Sequence, residues 1–131
     1  NKPTSELELH AEIYKAREDA GAVVHVHSKY ASVFACACKG IPVASKEKDA
    51  RELFGATIPI AEYALPGTHT LAVNTASALG AGSAVVMAHH GMAVCGTDMQ
   101  KAFENALKFE ETARVSWYDY EKEDFDEEIE E

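Results

Sequence analysis

Apolar residues along the 131-residue chain recur at two periods, and the switches between them divide the sequence into alternating helices and strands. Leu9, Ile13 and Ala16 repeat at helical spacing, so residues 4–19 read as a first helix, opened by a Ser5/Glu8 capping box and ended by Gly21. AVVHVH (22–27) reads as a strand. Ser28 is placed to cap a second helix over residues 28–39, with Gly40 as its stop. Residues 41–63 predict a short strand in IPVAS, a helix in KEKDARELF and an extended TIPIAEY, all kept short by Pro42 and Pro59. PGTHTLAVNTASALG (66–80) is a proline-led, threonine-capped helix, and SAVVMAHHGMAVCG (83–96) reads as two strands hinged at His89, His90 and Gly91. Thr97 or Asp98 then caps a long helix to about Tyr118, whose apolar side is marked by Ala102, Phe103, Ala106, Leu107 and Phe109. Alternation of this kind within one short chain predicts an α/β or mixed α+β layered fold.

Composition narrows the picture. A 47% hydrophobic and 26% charged chain of this length is an ordinary globular domain, with no run near the roughly 18 apolar residues that span a membrane. The net charge of −10 is concentrated: residues 121–131 hold eight acids and one lysine, so the end of the chain reads as a solvated acidic tail. The remainder is close to neutral and shows no basic stripe, which argues against a nucleic-acid partner. Three cysteines are too few for a disulfide framework and fit a reducing, cytoplasmic setting. Cys36 and Cys38, two apart on a helix, would diverge by about 200° and make a poor ligand pair.

Six histidines carry the chemistry. His25 and His27 are two apart in a strand and therefore point to one face, where a rigid backbone can offer two imidazoles to one metal. The pair His89/His90 before Gly91 supplies a third imidazole at a turn. Three histidines leave a coordination position open, the catalytic pattern rather than the structural one. Glu6 is a nearby carboxylate at the start of the first helix, where the helix dipole favours its ionised form. His10, one turn after Glu6, reads as a packing residue, and His69 as an exposed one.

KPTSE before a helix, GAVVHVHS, YALPGT and AHHG, in this order and spacing, resemble the class II aldolase/adducin family, in particular its zinc-dependent L-fuculose-1-phosphate aldolase-like members. The resemblance covers residues 2–115. It implies a three-layer α/β/α sandwich around a central mixed, largely antiparallel sheet, as a single domain over residues 1–118 followed by the tail at 119–131. It implies His25, His27 and His90 as ligands of Zn2+, or of Mn2+, Co2+ or Fe2+. It implies Glu6 as the catalytic acid/base, with Thr4 and Ser5 helping to hold a substrate phosphate. The expected activity is aldol cleavage of a small ketose phosphate by enediolate stabilisation, in a homotetramer with no nucleic-acid or membrane partner. An epimerase or keto-acid-phosphate decarboxylase would use the same site, and an adducin-like scaffold would be silent. The family's N-terminal phosphate-cradling loops have no counterpart in this sequence, and its tyrosine proton donor falls at about Lys46, leaving Tyr30, Tyr63, Tyr118 and Tyr120 as alternatives.

Overall fold

Four strands form the central sheet of the computed structural model, which describes residues 6–130, with side chains described as far as Asp119. Strand β1 (Ala22–Val26) lies at one edge, followed by β6 (Gly91–Gly96), β5 (Ala84–Met87) and β4 (Ile60–Ala61). The pairs β1/β6 and β5/β6 are antiparallel and β4/β5 is parallel, so the sheet is mixed and largely antiparallel, as expected. A separate antiparallel pair joins β2 (Ile41–Pro42) to β3 (Thr57–Ile58). The extended run 57–63 is thus divided at Pro59, which lacks a donor for either ladder but whose carbonyl accepts from Val86 N at 2.8 Å.

Helices cover both faces. Helices α1 (Leu7–Ala16) and α4 (His69–Leu79) enclose one core with Val23, Val85, Met87, Ala93 and Cys95. Helices α2 (Lys29–Cys36), α3 (Lys48–Phe54) and α5 (Met99–Glu130) enclose the other with Ala84, Val86, Met92 and Val94. Alternate residues of one strand therefore serve opposite cores, and all four residues of β5 are buried. This is the three-layer α/β/α arrangement. No helix among the described residues is long and apolar enough to cross a membrane.

Several ends differ from the sequence expectation. Helix α1 stops at Ala16 rather than near Asp19, because Arg17 turns to extended backbone and donates to the carbonyl of Gly80 at 3.0 Å. Helix α2 stops before Gly40: Cys38 adopts φ 55°, the left-handed conformation usually left to glycine. Cys38 N then bonds Ala35 O and Lys39 N bonds Phe34 O, the paired closing bonds of a Schellman motif. Ser28 stands at the N-cap position of α2 but makes no capping bond with its side chain, and its hydroxyl lies against Met92 Sδ at 3.6 Å. Thr68 caps α4 through Leu71 N, and Asp98 Oδ1 accepts from Lys101 N in the first turn of α5.

Helix α5 continues twelve residues beyond Tyr118, since no glycine or proline interrupts residues 99–130. Its inward face is Ala102, Ala106, Phe109 and Ala113 at spacings of three and four. Phe103 and Leu107 were expected on that face, but each stands one position further round the helix and is exposed, at 56% and 58%. The Ser5 half of the capping box lies outside the described residues.

Phe109 is fully buried and meets the Phe54 ring edge-on at 6.1 Å between centroids. Phe109→Ala is expected to destabilise the chain by about 3–5 kcal/mol through lost burial and a residual cavity. Urea unfolding of the two proteins measures the difference.

Candidate metal centre

The register of β1 on β6 builds the site. His25 pairs with Ala93 and Val26 with Met92, so the residue opposite His27 is Gly91 and the next residue along is His90. His25 and Val23 project to the α1/α4 face. The turn preceding β6 is tight: His89 takes φ 55° and His90 N bonds Met87 O at 2.9 Å. A side chain at position 91 would run into the His27 ring and approach Val26 O to 2.7 Å, so only glycine lets the two chains close here.

The three rings are packed about a common point. Their centroids are 5.0 Å apart for His25/His27, 4.9 Å for His25/His90 and 5.2 Å for His27/His90. One nitrogen from each lies within 4.8 Å of the others. His25 Nδ1 is 2.9 Å from the carbonyl of Met92, which can only accept, so Nδ1 carries the proton and Nε2 presents its lone pair. That Nε2 faces His90 Nε2 at 3.1 Å. Burial first, and then the neighbouring His25, pushes the His90 pKa below the ordinary imidazole value, with Glu6 opposing. His90 is held neutral, the form that binds metal. Its Nδ1 is buried with no hydrogen-bond partner among the described residues. Ring nitrogens converging from three imidazoles suit a divalent transition metal.

Glu6 stands at the N-cap position of α1 rather than within its first turn, and makes no capping bond to that helix. Its carboxylate instead accepts from Gly67 N at 3.1 Å and lies 3.7 Å from His90 Nε2, with 11% of the side chain exposed. The YALPGT segment explains the first contact. Leu65 to Thr68 form a type II turn, with Pro66 leading, Gly67 at φ 79° and Thr68 N bonded to Leu65 O at 3.3 Å. The turn aims Gly67 N–H at the carboxylate.

The structure therefore brings His25, His27, His90 and Glu6 together from β1, the β5/β6 turn and the start of α1. Thr4 and Ser5 lie outside the described residues. His10 is half-buried behind the site, its pKa lowered by burial and then by His25. His69 is exposed on the other side of α1, 3.3 Å from Glu8. His89 turns away from the triad: its Nε2 is 2.9 Å from Cys38 Sγ and Tyr63 meets its ring edge-on at 5.6 Å. Tyr30 and Tyr118 pack together at 6.4 Å. Cys36 and Cys38 are exposed and Cys95 is buried. Met92 O and Gly67 N were not foreseen as parts of the site. The Pro-Gly dipeptide signalled the turn but not its target, and a backbone carbonyl leaves no trace in side-chain pattern.

Gly91→Ala is expected to separate the β1 and β6 ends and weaken divalent-metal binding. The readout is the rise in melting temperature on adding Zn2+, large for the wild type and reduced for the variant.

Comparison with known proteins agrees with this fold. Residues 1–117 match the model of the class II aldolase and adducin N-terminal domain. The chain is 35% identical over 116 residues to 5-methylthioribulose-1-phosphate/5-deoxyribulose-1-phosphate aldolase of Rhodospirillum rubrum, a match covering 88% of this chain and 52% of that protein. It is also 35% identical, over 121 residues, to L-fuculose phosphate aldolase of Haemophilus influenzae, with the same coverage. Among solved structures, an L-fuculose 1-phosphate aldolase superposes with a TM-score of 0.84 at 32% identity, covering 91% of this chain and 55% of that one. The chain spans about half the length of the curated relatives it matches. On its motifs, its fold and these matches, the chain belongs to the class II aldolase and adducin family.

Proposed function

We propose that this chain provides the metal-holding and acid/base parts of a class II aldolase-type lyase, which cleaves a carbon–carbon bond in a small ketose phosphate. The observation that carries the reading is the convergence of three imidazole nitrogens within 4.8 Å, with the Glu6 carboxylate 3.7 Å from one of them. Relatives named as aldolases of 1-phosphorylated ketoses support the substrate class.

His25, His27 and His90 hold the cation, Zn2+ or alternatively Mn2+, Co2+ or Fe2+. Bound there, a divalent cation supplies Lewis-acid polarisation of substrate oxygens and lowers the barrier by several kcal/mol. The chain's own residues do the rest. Met92 O fixes the His25 tautomer so that its Nε2 faces the substrate side. Gly67 N–H holds the Glu6 carboxylate in place. Glu6 moves the proton on and off the carbon at which the bond breaks, a contribution of typically 10²–10⁴-fold. Thr4 and Ser5, directly before Glu6, fit a role in holding the phosphate. The catalytic domain of this reading is residues 1–118, followed by an acidic tail at 119–131, in a cytoplasmic homotetramer.

Two measurements test the reading. Purified protein is expected to hold stoichiometric divalent metal by elemental analysis, and His25→Ala to hold none; a wild type without metal at neutral pH removes the reading. Glu6→Gln is expected to keep its metal while release of the triose phosphate from a ketose 1-phosphate falls by about 10²–10⁴-fold. Undiminished turnover would take Glu6 out of the mechanism.

A further inference from the structure

His27 is the least supported of the three imidazoles. It follows Val26, the last residue of β1, and precedes Ser28 at the start of α2, so the strand ladder does not include it. Its side chain is exposed, whereas that of His90 is 6% exposed. The place of His27 is therefore set by the direction in which the chain leaves β1 and enters α2.

A residue from another helix fixes that entry. The first N–H groups of a helix have no partner within it, and an N-cap side chain normally accepts from the second or third. Ser28 does not do so. Instead Glu110 Oε1 accepts from Tyr30 N at 2.9 Å and from Ala31 N at 3.0 Å, while Oε2 lies 3.2 Å from Tyr30 N. These are charge-assisted bonds at the positive end of the α2 dipole, stronger than a hydroxyl cap would make. Glu110 adjoins Phe109 on α5, and Phe109 is wedged into the core shared with β5 and β6. The carboxylate is therefore anchored to the sheet that carries His25 and leads into His90.

We propose that Glu110 is a positioning residue of the metal site, placing His27 against His25 and His90 by anchoring the first turn of α2 just downstream of it. This deepens the metal-site reading above and rests on it. Nothing about Glu110 requires contact with metal or substrate; it acts through the backbone of residues 28–31. The side chain length matters more than the charge, because an amide keeps an acceptor oxygen at the same reach, whereas aspartate is one methylene short.

The experiment is a Co2+ titration of the metal-free protein, reading affinity and the visible absorption of the bound ion. The proteins compared are the wild type, Glu110→Gln, Glu110→Asp, Glu110→Ala and Leu79→Ala. Glu110→Asp and Glu110→Ala are expected to bind about 10–100-fold more weakly, with an altered Co2+ spectrum, as loss of a ligand-orienting partner does. Glu110→Gln is expected to stay close to the wild type. Leu79→Ala destabilises the α1/α4 core, which Glu110 does not join, at the end of α4 away from the Gly67 turn, and is expected to leave the spectrum unchanged. If Glu110→Ala does not fold, the aspartate and glutamine variants carry the test.

Wild-type affinity and spectrum in Glu110→Asp would overturn the proposal. So would Glu110→Gln binding as weakly as Glu110→Asp, or Leu79→Ala showing the same loss. Absence of Co2+ binding by the wild type would instead overturn the metal-site reading itself.

Discussion

The antiparallel register of β1 on β6 is the constraint on which the site depends. Pairing Val26 with Met92 places His25 Nδ1 at the Met92 carbonyl and brings Gly91 against the His27 ring. A slip of one residue would turn His25 towards the α2/α5 core and expose Val24 and Val26 to the α1/α4 side, at the cost of both cores together. The register is thus held by burial on two faces, and the imidazoles inherit their precision from it. Two of the three imidazole positions, His25 and His90, belong to a strand or a strand end that cannot move without unpairing the sheet.

Glu6 is held by different means. It comes from the α1 layer, and its carboxylate is fixed by Gly67 N–H in the turn that leads into α4. Helices α1 and α4 pack on each other over Leu9, Ile13, Leu71 and Ala72, so their relative position is set by a dry apolar contact. Glu6 and the three imidazoles therefore rest on separate supports that meet at His90, and a change in one support need not disturb the other. Such separation is what permits a substitution at Glu6 to leave the imidazoles in place.

Much of this was legible in the chain. The two-residue spacing of His25 and His27, the turn before Gly91 and the alternation of helix and strand periods follow from side-chain geometry alone. The ends of elements were less legible, because they are decided by contacts distant in sequence. Cys38 stops α2 in a conformation that composition would assign to glycine, and Arg17 leaves α1 to satisfy a carbonyl beyond α4. The capping of α2 by Glu110 was invisible for the same reason: the serine at the expected position is a good cap by type, and the carboxylate that replaces it is some eighty residues away. Phe103 and Leu107 were assigned inward because a helix with apolar residues on adjacent faces offers two stripes, and only packing chooses between them.

The electrostatics of the triad complete the argument. Among the three imidazoles, which converge within 4.8 Å, His90 is the one whose burial, reinforced by the neighbouring His25, disfavours the imidazolium. Clustering the rings in this way does little for stability by itself, because His25 and His90 face each other through ring nitrogens that water would solvate better. What the cluster offers is several ring nitrogens at one point, an arrangement that could hold a metal ion. The fold bears the desolvation of His90, and the register of β1 on β6 aims the three rings at one point.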